Sequence, residues 1–175
     1  DVGVKIGMDG EAEFRKSLQN INQQMKTLGS EMKAVTAEFQ SNEDSMEALS
    51  AKADVLNRSI QANANQMRAL TAQYNSQVAE LEKLRDVLDM ATKEFGENSQ
   101  EVARAQNAYN KQAATVLRLE NDINKSRTTM AQYKSQLAQV ERQMDGTADI
   151  TDDMADATEK AGDAADNAAG RFGSF

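Results

Sequence analysis

The sequence predicts an all-α protein whose long helices form an elongated parallel coiled coil of several chains. Apolar residues recur at alternating steps of four and three over most of the chain, which is the spacing of a heptad seam. No proline interrupts the 175 residues, and proline breaks helices more strongly than any other residue. Only 39% of the residues are hydrophobic, which supplies a narrow apolar stripe along a helix rather than a thick core.

The composition disfavours several classes of function. The chain has no histidine, the usual general base, and no cysteine for disulfides or thiolate metal sites. Its net charge of −8 disfavours a nucleic-acid binder, which normally carries a basic face. No stretch approaches the roughly 18 apolar residues of a membrane span. We therefore expect no enzyme, no cofactor, no metal site, and neither nucleic-acid nor membrane binding by this segment.

Residues 1–9 read as a short extended segment. Val2, Val4, Ile6 and Met8 alternate with other residues, as in a strand, and Asp9 is then placed to cap the helix that follows. A single strand is not stable alone. It either pairs with a copy from another chain or a partner, or it stays a flexible tail, and the pattern favours neither.

Residues 10–145 form the predicted coiled-coil region, in which one heptad phase runs from Phe14 to Met144. Positions such as Leu18 are named a, and positions such as Phe14 are named d. The predicted helix–helix interface consists of Phe14, Leu18, Ile21, Met25, Leu28, Met32, Val35, Phe39, Met46, Leu49, Leu56, Ile60, Met67, Leu70, Tyr74, Leu81, Leu84, Leu88, Phe95, Val102, Tyr109, Val116, Leu119, Ile123, Met130, Tyr133, Leu137, Val140 and Met144.

Polar residues interrupt the d positions of this seam. In a coiled coil, a buried polar residue costs stability and fixes the register and the number of partners. We predict such register layers at Asn42, Asn63, Gln77, Asn98, Gln112 and Ser126.

Two polar stretches near residues 40–45 and 96–99 are weak points in the helix. Asp44 and Asn98 are candidate N-caps, and Gly96 is placed to end a helix. These turns favour antiparallel helical hairpins, whereas the unbroken phase favours one continuous rod, because a hairpin turn need not preserve phase. We expect the rod, and the hairpins remain the alternative.

Residues 146–175 differ from the region before them. Alanine replaces the large seam residues after Gly146, which predicts a marginal helix that leads into a longer C-terminal part. Asp152, Asp153 and Asp156 form the densest carboxylate group, but their spacing does not match a calcium-binding loop. We interpret them as a solvated acidic helix face.

Several segments resemble phage tail tape measure proteins. The similarity is carried by "KIGMDGEAEFRKSLQNINQQMKTLGSEMKAVTAEF" (residues 5–39), "EALSAKADVLNRSI" (47–60), "FGENSQEVARAQNAYNKQ" (95–112) and "AAGRFGSF" (168–175). The first segment is similar to the N-terminal region of that family, in which a short strand and an Asp-Gly precede a long helix.

The resemblance implies a structural role without catalysis. Such a protein fills the lumen of a phage or tailocin tail tube, sets tail length during assembly, and leaves ahead of the DNA at infection. Its implied partners are further copies of itself (three is the number that we assume), the tail tube protein and tail assembly chaperones. Its implied location is the virion, and the host cytoplasm during assembly. The alternative is another coiled-coil scaffold or adaptor protein without catalysis.

Overall fold

The computed structural model describes the backbone of residues 2–144 and the side chains of residues 10–144. The chain forms three long helices, α1 (Val2–Glu38), α2 (Met46–Phe95) and α3 (Gln100–Gln143), and no strand lies among these residues. The predicted all-α class is confirmed. The α2 helix contacts both α1 and α3, whereas α1 and α3 do not approach each other closely along their backbones.

Neighbouring helices run antiparallel. Between α2 and α3, Asn63 contacts Ser126 and Gln77 contacts Gln112, so residue numbers rise along one helix as they fall along the other. Between α1 and α2, Gln66 donates to Asn22 and Arg58 pairs with Glu31, which gives the same relation. The chain therefore folds as two consecutive helical hairpins that share α2.

The single chain adopts the antiparallel hairpins that the sequence left as the alternative, and not the expected continuous rod. Its helices end at the two predicted weak points, and the seam of α2 packs on α3 of the same chain. A turn that lets two halves of one chain cover each other's stripe buries the apolar area without recruiting a second chain, and closing so short a loop costs little entropy.

Serine residues begin both α2 and α3. The side-chain oxygen of Ser45 accepts a hydrogen bond from the Ala48 backbone N–H at 3.2 Å, and that of Ser99 accepts one from Val102 at 3.2 Å. The expected caps Asp44 and Asn98 were thus one residue early. Each serine thus accepts a hydrogen bond from an N–H group that the first turn of its helix would otherwise leave unpaired.

Gly96 ends α2, as the sequence predicted. Its φ of 83° lies in the region that side chains other than glycine rarely adopt. Its backbone N–H donates to the Thr92 carbonyl at 3.0 Å, which satisfies one of the last carbonyls of the helix. The reversal into α3 thus depends on a glycine at this position.

The prediction of an extended segment at residues 1–9 is also wrong. The α1 helix begins at Val2, so Asp9 lies inside the helix instead of capping it. A lone strand would leave its backbone groups without partners, whereas a helix satisfies them internally. The predictions for residues 146–175, including the three-aspartate group, lie outside the described residues.

Candidate functional site

The main structural feature of the described chain is its system of helix-packing surfaces. The central one is the seam between α2 and α3, a continuous apolar cluster of a and d residues. Its fully buried side chains include Leu49, Met67, Tyr74 and Val116. Burial of one such side chain contributes about 1.5–3 kcal/mol, so this seam is the main source of stability of the hairpin.

The structure places nearly all predicted interface residues on inward faces. The buried ones are Leu28, Leu49, Leu56, Ile60, Met67, Leu70, Tyr74, Leu81, Val116, Leu119, Ile123, Met130, Leu137, Val140 and Met144. The half-buried ones are Phe14, Leu18, Ile21, Met25, Met32, Val35, Phe39, Leu84, Leu88, Val102, Tyr109 and Tyr133. Only Met46 and Phe95 are exposed, at 51% and 52%, because they flank the two loops.

Polar register residues meet in pairs across this seam. The Asn63 side-chain amide donates to the Ser126 carbonyl at 2.8 Å, and the Ser126 hydroxyl lies 3.1 Å from the Asn63 oxygen and 3.0 Å from Gln66 Oε1. The Gln112 amide donates to the Gln77 backbone carbonyl at 2.8 Å and to its side-chain oxygen at 2.7 Å. These four polar layers, predicted separately, combine into two pairs.

The spacing of the two pairs fixes the register of the hairpin. Residues 63 and 77 on α2, and residues 112 and 126 on α3, are each separated by 14 positions, or two heptads. A slip of one helical turn would separate both pairs at once. It would leave the buried Asn63 amide unsatisfied, at about 1–3 kcal/mol, and the half-buried Gln77 and Gln112 amides without each other, at a smaller cost. The polar pairs therefore oppose every register but this one.

Asn42 and Asn98 do not form register layers. Both lie exposed in the loops, where the Asn42 backbone N–H donates to Phe39 and its carbonyl accepts from Ser45. Asparagine favours such turns because its side chain competes for local backbone groups. The prediction was wrong for these two positions because they lie where the chain reverses.

A second stripe on α2 was missed in the sequence. Residues one heptad apart at position c, among them Ala48, Val55 and Ala62, are buried at 0–2% exposure, and Leu28 of α1 packs against the last two. Position g supplies buried Ser59. Position g also supplies Gln66, which bonds to α1. We name this face of α2 the c/g stripe. Its signal in the sequence is the heptad recurrence of small residues, which permits close approach of α1.

Polar contacts flank the c/g stripe and orient α1. Arg58 Nη2 lies 2.6 Å from Glu31 Oε2 on α1 and 2.9 Å from Asp54 Oδ2 on its own helix. The hydrogen bond to Glu31 is the largest cause of a raised pKa of Arg58, and the hydrogen bond to Asp54 is the next largest. The pair lies partly exposed, so water screens it and its contribution to stability is small. Its role is to favour this alignment of α1.

Two depressions are among those on the surface of residues 10–144. One, of about 510 Å³, lies along α3 between residues 121 and 132 and is lined by one helix alone. The other, of about 190 Å³, has a lining from all three helices, which includes Glu11, Phe14, Arg15, Arg118 and Asp122. The second marks where the N-terminal half of α1 leans over the α2–α3 seam.

Tyr74 is the largest fully buried side chain, and its hydroxyl has no hydrogen-bond partner within residues 10–144. Burial raises the pKa of Tyr74, and the negative charge of Glu120 raises it further. A buried hydroxyl without a partner costs about 1–3 kcal/mol. The ring thus stabilises the seam while the hydroxyl opposes it.

Replacing Tyr74 with phenylalanine should therefore raise the free energy of unfolding by about 1 kcal/mol, because the ring stays and the unpaired hydroxyl is removed. Because the pKa of Tyr74 is raised in the folded chain, ionisation of this hydroxyl favours the unfolded chain. The free energy of unfolding of the parent chain is therefore unaffected by this group below the ordinary tyrosine value near 10, and it falls as the pH rises from there through the folded-state value. The advantage of Tyr74→Phe should thus grow above about pH 10. Urea unfolding at pH 7 and pH 10.5 measures both effects, and Tyr133→Phe, at a half-buried tyrosine, is the control.

No helix in residues 2–144 combines the length and the apolar character that a membrane crossing requires. Among residues 10–144, whose side chains are described, no three or more acidic side chains form a group that could hold a metal ion. Comparisons with protein-family models, curated proteins and solved structures found no match to this chain.

Proposed function

We propose that this chain is a non-catalytic structural segment of a phage or tailocin tail tape measure protein. In this role it lies in the lumen of the tail tube in several copies, determines tail length during assembly and leaves before the DNA. The resemblance of its segments to that family supports the proposal. So does the all-helical architecture, because a helix converts residue number into length at about 1.5 Å per residue.

The observation that carries the proposal is the unbroken heptad phase across both loops. Phe39 and Met46 lie one heptad apart across the first loop, and Phe95 and Val102 lie one heptad apart across the second. The hairpins do not require this agreement, because each turn resets which face points inward. A continuous helix does require it, since one stripe must then face the same partners from end to end.

The hairpin and the rod are two ways to bury the same side chains. In the isolated chain, the a and d residues of α2 cover those of α3. In the assembled filament, we propose that parallel chains, taken as three, cover one another and that both loops become helical. The described part of the chain would then extend from a folded length of roughly 75 Å, set by α2, to about 200 Å in the rod. High local concentration inside the tube favours the multi-chain form by mass action.

The antiparallel packing favours a second candidate, a coiled-coil adaptor that works in the hairpin form. The α2–α3 polar pairs specify this form. Such a protein would present its helix faces to partners without opening. The two candidates differ in whether the hairpins open on assembly.

The distance between two spin labels separates these candidates. The chain has no native cysteine, so cysteines introduced at the exposed positions Asn75 and Ala114 would carry the only labels. In the hairpin the labels lie within roughly 20 Å, because packed helix axes are 8–10 Å apart. In a continuous helix the 39 intervening steps separate them by about 58 Å.

For the tape measure role, we expect the short distance in the dilute chain and the long distance in tail tubes assembled from a few doubly labelled chains among a large excess of unlabelled ones. The dilution is needed because labels at the same position on neighbouring parallel chains would also lie within roughly 20 Å of each other. A matched pair at Asn75 and Gln106, both exposed, controls for label mobility, because its rod distance of about 46 Å differs by a known amount. Persistence of the short distance in tubes that contain the protein would contradict the rod and support the adaptor.

A further inference from the structure

The c/g stripe of α2 continues toward the C-terminal end of the helix beyond the residues that α1 buries. Toward the loop at residues 96–99, the stripe consists of Lys83, Val87, Met90 and Glu94, which we name the tip stripe. Val87 and Met90 are 51% and 66% exposed, and the two charged residues are exposed as well. The same face of α2 that binds a helix at Val55 and Ala62 therefore carries apolar residues without cover at this end.

The tip stripe has the spacing of a helix-binding seam. Its residues follow one another at steps of four, three and four, as a and d residues do in a coiled coil. Two apolar side chains occupy its centre, a lysine lies at one end, and a glutamate lies at the other. A second helix laid along α2 would therefore meet an apolar centre between two charges.

The order of these residues is self-complementary. If a second α2 lies antiparallel on the first about a two-fold axis midway between Val87 and Met90, then Val87 faces Met90 of the partner subunit. Lys83 then faces Glu94 of the partner subunit, and the symmetry repeats both contacts. Such an arrangement is isologous, with the same patch used by both copies. The charge order along the stripe opposes a parallel arrangement in the same alignment, because like charges would then meet.

We propose that two copies of this chain associate through the tip stripe, with their α2 helices antiparallel about that two-fold axis. The apolar centre supplies burial, and the two ion pairs set orientation. The contact extends over about 12 residues, or roughly 18 Å of helix, so the dimer is weak and depends on concentration. This interface joins intact hairpins end to end, and it does not rest on the tape measure role.

Charge reversal tests this pairing. Sedimentation equilibrium of the 175-residue chain should show reversible dimers. Lys83→Glu and Glu94→Lys should each weaken dimerisation at least tenfold, because each places like charges opposite one another twice. The double variant Lys83→Glu with Glu94→Lys should recover dimerisation, since both ion pairs return with their signs exchanged. An equimolar mixture of the two single variants should form a heterodimer for the same reason.

The recovery distinguishes contacts between chains from those within one chain. Lys83 lies 3.9 Å from Glu80 on its own helix, and the double variant keeps the local repulsion that Lys83→Glu introduces there. A double variant that stays monomeric would overturn the proposal, as would single variants that dimerise like the parent chain.

A matched pair of apolar substitutions tests the centre of the interface. Met90→Glu should abolish the dimer, whereas Leu117→Glu, at a residue of α3 that is 49% exposed and outside the tip stripe, should leave it unchanged. The Asn75–Ala114 label distance should stay short in the dimer, which distinguishes it from the multi-chain rod. A parent chain that is monomeric at all concentrations, or dimers that Leu117→Glu weakens as much as Met90→Glu, would contradict the proposal.

Discussion

Replacing Leu56 with aspartate should lower the free energy of unfolding by about 4 kcal/mol or more. Leu56 is 3% exposed and lies within the α2–α3 cluster. The substitution removes the burial of a leucine side chain, leaves a cavity and places a carboxylate in an apolar layer. Because small domains unfold at about 5–15 kcal/mol, such a loss would leave the hairpin only marginally folded. Urea unfolding followed by far-ultraviolet circular dichroism measures it.

Two aspartate substitutions serve as comparisons for Leu56→Asp. Leu117→Asp exchanges the same residue types at a side chain that is 49% exposed, and should change stability by about 0.5 kcal/mol or less. Leu84→Asp lies at the same heptad position as Leu56, but in the half-buried region near the loop, and should have an intermediate effect. Equal losses for Leu56 and Leu84 would indicate a rod, in which both form equivalent layers.

The positions that pack were predictable from the sequence, but the helix that covers them was not. The apolar period identifies Leu56, Met67 and Val116 as inward-facing whether their partner is another chain or another helix of the same chain. The energy of burial depends on the area removed from water and not on which chain supplies the cover. The choice between rod and hairpin is therefore decided by the loops and by the polar pairs.

The start of α2, the c/g stripe and the N-terminal segment were not predicted correctly from the sequence. Ser45 and Asp44 are both good caps, so the sequence alone leaves the start of α2 uncertain by one residue. Ala48 and Ala62 are both strong helix formers and good contact residues, so their recurrence did not reveal that α1 binds there. The alternation at Val2 to Met8 indicated a strand, but without a partner strand the backbone satisfies its hydrogen bonds in a helix.

Removal of the Asn63 side chain is the second substitution with a large expected effect. Asn63 is fully buried, and it bonds both the carbonyl and the hydroxyl of Ser126. Asn63→Ala should lower the free energy of unfolding by about 2 kcal/mol, since it removes a buried hydrogen-bonded pair and leaves a small cavity. Asn65→Ala, which affects only a local contact with Arg68 on the same helix, should change it by about 0.5 kcal/mol or less.

A double-mutant cycle isolates the interaction between Asn63 and Ser126. Ser126→Ala alone should lower the free energy of unfolding by about 1 kcal/mol, because it removes the hydroxyl that contacts Asn63 and Gln66. If the two side chains act as one layer, the double variant should be less destabilised than the sum of the single variants by about 1 kcal/mol. Additive losses would mean that each residue acts alone. The register of the hairpin would then depend on apolar packing and on the Gln77–Gln112 pair, and Gln112→Ala would be the variant in which the helices slip.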